Sequence, residues 1–331
     1  MVAEVREARV DFLTIQGLLI PKTQEGYLKL VRLCYRFREA VNVAVRLQLR
    51  GMDRSSGVKE LRKILNNWWY ADSAWNYARM LVEGCKSRGS NPKHVHVKSK
   101  FLISYAKSNE RGNRNVRIND REVKIRDPFS REWLSFKHDF GDRFIKADKY
   151  TAKVVFRHGR TYMHLSLSFE LFKYGVTCGK LIASFDLNSD RINMVIVDWN
   201  RRIRDVRVKH FPEITSHGFP KNKAKDVRLK ALAELLDYAY YHGVGIVLFE
   251  DLNRIKKRLF TKSRKANRKI SKFAKRELLH YGVTMALKRG FKVYLVNPAN
   301  TSKVAKRIRR TLGLDIHSTS AYVLAQKFIN L

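Results

Sequence analysis

The chain has 331 residues, 44% of them hydrophobic, which excludes a disordered polymer and leaves room for two or three domains. It carries 68 Lys and Arg against 30 Asp and Glu, a net charge of +38. Such an excess opposes compaction unless a polyanion neutralises it, so the expected partner is nucleic acid, with an anionic membrane surface as the rival.

No apolar run of about 18 residues occurs, so nothing is expected to span a membrane. The opening stretch MVAEVREARVDF lacks the apolar core of a secretion signal. Cys34, Cys85 and Cys178 lie far apart, with no C-x-x-C pair. This fits a reducing, intracellular (cytoplasmic) setting and offers no disulfide or zinc framework.

In chain order, Arg9–Ile20 reads as a strand pair or a long edge strand, ended by Pro21. Thr23 is placed to cap a helix over Gln24–Arg50. Tyr27, Val31, Cys34, Val41 and Val45 share one face of it, and Gly51 stops it. A second helix is expected through Val58–Trp69, and a third after Asp72, a candidate cap, to near Cys85. Trp68, Trp69, Tyr70, Trp75 and Tyr77 interleave with few basic residues, so they read as the core of a helical subdomain. From Asn91 the period becomes two. His94–Tyr105 reads as a strand, and Asn115–Asn119 with Glu122–Arg126 as a hairpin. Thr151–Arg157 and Thr161–Phe169 flank the turn His158-Gly159. The outward positions are basic on successive strands (Lys98, Lys100, Arg117, Lys124, Arg126), as in a nucleic-acid-binding β-barrel.

The second half predicts strands at 181–187, 191–198 and 203–208, then a helix at 222–242 closed by Gly243. A strand follows at Gly245–Glu250, then a basic loop and helix over 254–289, and a strand at Lys292–Asn297. Helices at 301–312 and 316–330 end the series. The order β-β-β-α-β-α-β-α is that of the ribonuclease H-like fold, in which the first and fourth strands are neighbours.

Three carboxylates occupy corresponding places in that order. Asp186 ends the first strand, Glu250 ends the fourth, and Asp315 opens the last helix. Each alone has a plainer reading. Asp315 is placed to cap a helix, and Glu250 and Asp251 to pair with Arg254 and Lys256. Asp190, Asp198 and Asp205 are turn or strand-end acids. Together, three like charges in one pocket call for a divalent cation. Oxygen donors without a His or Cys cluster favour Mg²⁺ or Mn²⁺ over Zn²⁺.

The motifs FDLNSDR around Asp186, VLFEDLNR around Glu250, VNPANTSK at 296–303 and GLDIHSTSAYVLA around Asp315 resemble the RuvC nuclease domain of TnpB-type proteins. These are transposon-encoded, RNA-guided DNA endonucleases related to type V CRISPR effectors. KTQEGYLKLVRLCYRFREAVNVAVR resembles their N-terminal helical segment, so the likeness covers nearly the whole chain. It implies a multidomain α+β chain. A wedge-like β-barrel at 1–22 and 91–180 would carry an inserted helical recognition subdomain at 23–90. An α/β RuvC domain of ribonuclease H-like fold would follow at 181–331. The likeness further implies that Asp186, Glu250 and Asp315 are catalytic and hold two Mg²⁺ (or Mn²⁺) ions, roughly 3.5–4 Å apart. The product would carry a 5′-phosphate and a 3′-hydroxyl, and a guide RNA would pair with target DNA.

Expected nucleic-acid contacts are Lys256, Lys257, Arg258, Asn300, Thr301, Ser302, Lys303, Lys306, Arg307 and Arg310. Asn300, Thr301 and Ser302 read equally well as a turn and helix cap. His317 falls at the pocket mouth if the last helix begins at Asp315. One departure stands out. Many members of the family carry a four-cysteine zinc ribbon before the last Asp, and here that span is KVAKRIRRTLGL. It reads as a basic helix beside the active site, with Val304, Ile308 and Leu312 facing inward, and no zinc is expected. Two other functions share these features: a guide-independent, structure-specific nuclease, and an RNA-guided repressor that binds without cutting. The oligomeric state is not legible.

Overall fold

The computed structural model describes residues 5–106, 112–141, 147, 149–172, 174–251 and 275–330. It divides into two compact units, one of residues 11–172 and one of residues 1–10 with 173–331. No described helix is long and apolar enough to cross a membrane.

In the unit 11–172, β2 (Phe12–Pro21) leads into α1 (Gln24–Leu49), α2 (Arg54–Leu65) and α3 (Trp68–Ser87). Then come β3 (Phe101–Ser104), β4 (Val116–Ile118), β5 (Glu122–Asp127), β6 (Glu132–Asp139), β7 (Thr151–Arg157) and β8 (Arg160–Ser168). The strands form one sheet in the order β3-β7-β8-β2-β6-β5-β4. β2 was expected as a strand pair or a long edge strand. It lies in the middle, because β8 and β6 both pair with it. Alternate residues of the sheet share one core with the helices. There Phe37 of α1 meets Tyr70 and Phe101 edge-on.

Two helix ends show why these elements start where they do. The Thr23 hydroxyl accepts from the Gly26 N–H and caps α1 as its sequence suggests. α3 begins earlier than expected, because the Asn67 side chain accepts from the Tyr70 N–H. Asp72 is therefore not a cap. It is buried within α3 and takes two bonds from Arg54, at 3.1 and 2.6 Å. Of the aromatic cluster, Tyr70 and Trp75 are buried, whereas Trp68 is exposed and Trp69 lies under the Arg114 guanidinium, 4.3 Å away. Of the expected strand His94–Tyr105 only Phe101–Ser104 pairs into the sheet, and His94 ends a short 3-10 turn, Pro92–His94.

The other unit contains β1 (Val5–Glu7), β9 (Leu181–Leu187), β10 (Arg191–Val197) and β11 (Ile203–His210). α4 (Lys221–Tyr241), β12 (Val244–Glu250), α5 (Lys275–Lys288) and β13 (Lys292–Val296) follow. α6 (Thr301–Leu312) and α7 (Ile316–Ile329) complete it. The sheet order is β1-β13-β12-β9-β10-β11. β12 runs parallel to β9 and β13, and β10 antiparallel to β9 and β11, which makes the mixed sheet of a ribonuclease H-like unit.

β1 corrects the expected domain boundary. Residues 1–10 fall with this unit, because β1 pairs antiparallel with β13 and the Arg6 guanidinium binds buried Asp251 at 3.0 Å. The sheet is covered on both faces, so β9 and β10 are almost wholly apolar. Ala183, Phe185 and Leu187 face the core that includes α4 and α5. Ile182, Val195, Val197 and Leu248 face the core that includes α7.

Candidate active site

Strand register brings the polar residues together. Asp186 of β9 stands opposite Asn193 of β10. On its other side Ser184 stands beside Leu248 of β12. β12 runs parallel to β9 and ends at Glu250, two residues beyond the last of these pairs. Side chains alternate in a strand, so Asp186 shares a face with Ile182, Asn193 with Val195, and Glu250 with Leu248. That is the face packed against α7. The cap of α7 is Asp315, whose Oδ1 accepts from the N–H groups of His317 (2.9 Å) and Ser318 (3.3 Å). The plainer reading of Asp315 as a cap is thus correct, and the same carboxylate lies at the sheet face that carries Asp186.

Asparagines tie the acids down. Asn193, fully buried, donates to Ser318 Oγ at 2.9 Å and lies 3.4 Å from both Asp315 oxygens. Asn188 Nδ2 lies 3.0 Å from Asp186 Oδ2, and His317 Nδ1 also lies 3.0 Å from that oxygen. From the opposite face, buried Arg228 of α4 donates twice to the Ser189 carbonyl, at 3.3 and 3.1 Å. This pins the turn that carries Asn188. Asn193 Oδ1 and Ser184 Oγ are buried on the same face with no partner among the described residues.

The electrostatics follow from these contacts. The hydrogen bond to Asp186 raises the His317 pKa above its ordinary value, against the opposing effect of burial. Burial pushes the Asp315 carboxyl up. Bonds from the Ser318 hydroxyl and from the N–H groups of His317 and Ser318 outweigh it and leave the pKa lowered.

Oxygen donors suit a hard divalent cation in type. Among the described residues, no three His, Cys, Asp or Glu side chains stand in ligating geometry. Asp315 is bonded to its helix end, and Asp186 to Asn188 and His317. Asp251 pairs with Arg6, and its expected partners Arg254 and Lys256 lie outside the described residues. Asp198 and Asp205, read as turn or strand-end acids, bind Arg204 and Arg207.

The expected nucleic-acid contacts divide. Lys303, Lys306, Arg307 and Arg310 are exposed on α6, while Ile308 and Leu312 pack into the α7-side core. Asn300 and Ser302 are exposed, but Thr301 is buried and closed off from a substrate. Lys256, Lys257 and Arg258 lie outside the described residues, as do Arg254 and the basic loop around them. Asn188 and Asn193 were missed by the sequence reading. Asn188 sits in a turn, where Asn is ordinary, but Asn193 interrupts the run INMVIV and was a visible signal.

Fold and site together define a two-unit chain with a ribonuclease H-like sheet that carries Asp186, with the α7 cap Asp315, on its α7 face. A family model described as the SSO2105 N-terminal domain matches residues 12–174. Protein SSO2105 of Saccharolobus solfataricus is 34% identical over 347 residues, covering 97% of this chain and 93% of that protein. A protein of Aeropyrum pernix is 25% identical over 313 residues, 82% of each chain. The chain belongs to the SSO2105 family. Among solved structures, Cas12f1 in its cryo-EM complex with sgRNA and target DNA is similar in fold. It matches at a TM-score of 0.50 and 12% identity, over 91% of this chain and 82% of that one.

Proposed function

We propose that this chain is an RNA-guided DNA endonuclease of the TnpB type, cutting by metal-dependent phosphodiester hydrolysis. The observation that carries the proposal is the place of Asp186 opposite Asn193, whose side chain reaches the α7 cap Asp315, with Glu250 at the end of the neighbouring strand β12. The fold shared with Cas12f1, which is solved with sgRNA and target DNA, supports the guided reading. So does the charge of +38.

Asp186, Glu250 and Asp315 would hold the cation, Mg²⁺ or Mn²⁺. When bound, it supplies Lewis-acid stabilisation of the charge that develops on the scissile phosphate. The chain's own residues prepare for this. The helix end and Asn193 keep Asp315 ionised and fixed, and Asn188 holds one oxygen of Asp186. The exposed cations of α6 neutralise phosphates of the strand. Base pairing with the guide, rather than side-chain readout, selects the target.

Asp186→Ala, Glu250→Ala and Asp315→Ala should each reduce cleavage of a guide-matched DNA to background, measured on gels in Mg²⁺. RNA and DNA affinity should stay within about twofold, since the basic surface carries binding. Near-normal cutting by Asp315→Ala would overturn the assignment. Cutting that needs no RNA would replace it with a structure-specific nuclease.

A further inference from the structure

We infer that Trp133 with Arg117 and Arg126, and Trp69 with Arg114, form a stacking platform that binds the unpaired bases of a single-stranded nucleic acid. The platform lies in the unit 11–172, which lacks Asp186, Glu250 and Asp315, so its role is separate from the proposed cleavage and does not rest on it.

The strand pattern builds the first half. In β5, Val123 and Ile125 turn into the core, so Lys124 and Arg126 turn outward. Register sets Arg126 opposite Trp133 of β6, and Arg117 of β4 opposite Lys124. Trp133 thus stands on the outward face, half-buried rather than in the core. Two guanidiniums lie over its ring, Arg117 at 4.3 Å and Arg126 at 5.6 Å from the centroid.

A second pair stands on fixed supports. Arg114 is exposed, and its guanidinium lies 4.3 Å from the centroid of the half-buried Trp69 ring. Buried Asn113 and Asn115 flank Arg114, and the Asn113 side chain accepts from the N–H groups of Asn115 and Val116, each at 3.1 Å. Asn67, which caps the helix bearing Trp69, donates to the Asn115 side chain at 3.2 Å. Both members are therefore positioned before any ligand arrives. Arg114 and Arg117 are three residues apart, at most about 10 Å of chain. That span takes about three bases stacked about 3.4 Å apart.

The chemistry favours bases over phosphates alone. Among the described residues, neither Arg117 nor Arg126 has a carboxylate partner, and Glu122, the acid on the same face of β5, is bound by Lys22 and Lys124. Neutralising phosphate needs only charge, which lysine supplies. Arg over an indole adds planar faces on which a base can stack. Unpaired bases can be splayed onto such faces, whereas paired bases are held in their own stack.

The test uses the full-length chain, freed of nucleic acid in high salt, and fluorescence anisotropy with labelled probes of one length. The probes are single-stranded RNA, single-stranded DNA of the same sequence, and an abasic DNA strand that keeps the phosphates. Trp133→Ala and Trp69→Ala should each weaken the base-bearing strands about fivefold to a hundredfold. The abasic strand and the salt slope should not change. Arg117→Lys keeps the charge and loses the planar face, so it should act in the same direction to a smaller degree, and it serves where a tryptophan variant fails to fold. The probe that loses more, RNA or DNA, names the strand the platform holds. Equal losses on base-bearing and abasic strands would assign the surface to phosphate charge and overturn the inference, as would no loss on any strand. Cleavage in Mg²⁺ tests the acids separately, so failure of the platform is not mistaken for failure of the nuclease reading.

Discussion

Asp186 and Asp315 were legible as residues because an acid inside or beside an apolar run needs a reason to be there. Their partners were not, since what an Asn contacts depends on register, and a one-residue slip would have sent Asn193 to the other face. Tertiary context also decides how His164 titrates. It pairs with Lys153 across β7 and β8. Burial, then the nearby Arg157 and Lys153, hold its pKa below the ordinary value of 6.5. The unfolded chain takes up that proton more readily, so the unit 11–172 should lose stability as pH falls below 6.5 toward the depressed folded value. His164→Gln should shrink the difference in Tm between about pH 7.5 and about pH 5.5. An unchanged difference would place the acid sensitivity in other groups.

At the scale of elements, patterns set by near neighbours were readable and those set by distant partners were not. β9 matches its expected bounds because its apolar run ends at turn residues, and α6 because one face is uniformly cationic. Glu132–Asp139 alternates as a strand should, yet Lys137, His138 and Asp139 blur its end, and it was missed. The packing of α2 on α3 could not be foreseen from either helix alone. A Cβ added at Gly57 would lie 2.0 Å from the Trp75 ring. Gly57→Ala should therefore cost about 1–3 kcal/mol through overpacking, more than the gain in helix propensity returns. Urea denaturation measures it, and an unchanged midpoint would show that the two helices part freely. For α6, replacing Lys306, Arg307 and Arg310 together by Ala should lower DNA cleavage well below the loss in guide-RNA binding. Equal losses of both would assign the helix to RNA binding instead.

For the whole molecule, two features go beyond any local reading. The first is β1, whose partners Leu295 and Val296 stand nearly the whole chain away, a pairing that no window of sequence contains. The second is charge, which composition states outright. With 68 basic residues against 30 acidic ones, most cations have no acid to pair with even if every acid is used. Their mutual repulsion is of the kind that a bound polyanion would relieve. Binding to single-stranded RNA should weaken steeply with salt, by about −0.7 in log affinity per log salt for each phosphate neutralised, and by about −0.9 on duplex DNA. Because the ligand binds the folded chain, RNA at about a hundred times its Kd should also stabilise it by about 2.7 kcal/mol and raise Tm. Added salt should reverse that rise in step with the loss of affinity. Fluorescence anisotropy and thermal melts across a salt series read both quantities on one sample. A flat salt dependence, or a Tm gain from anionic vesicles that RNA does not match, would move the charge from nucleic acid to a membrane surface.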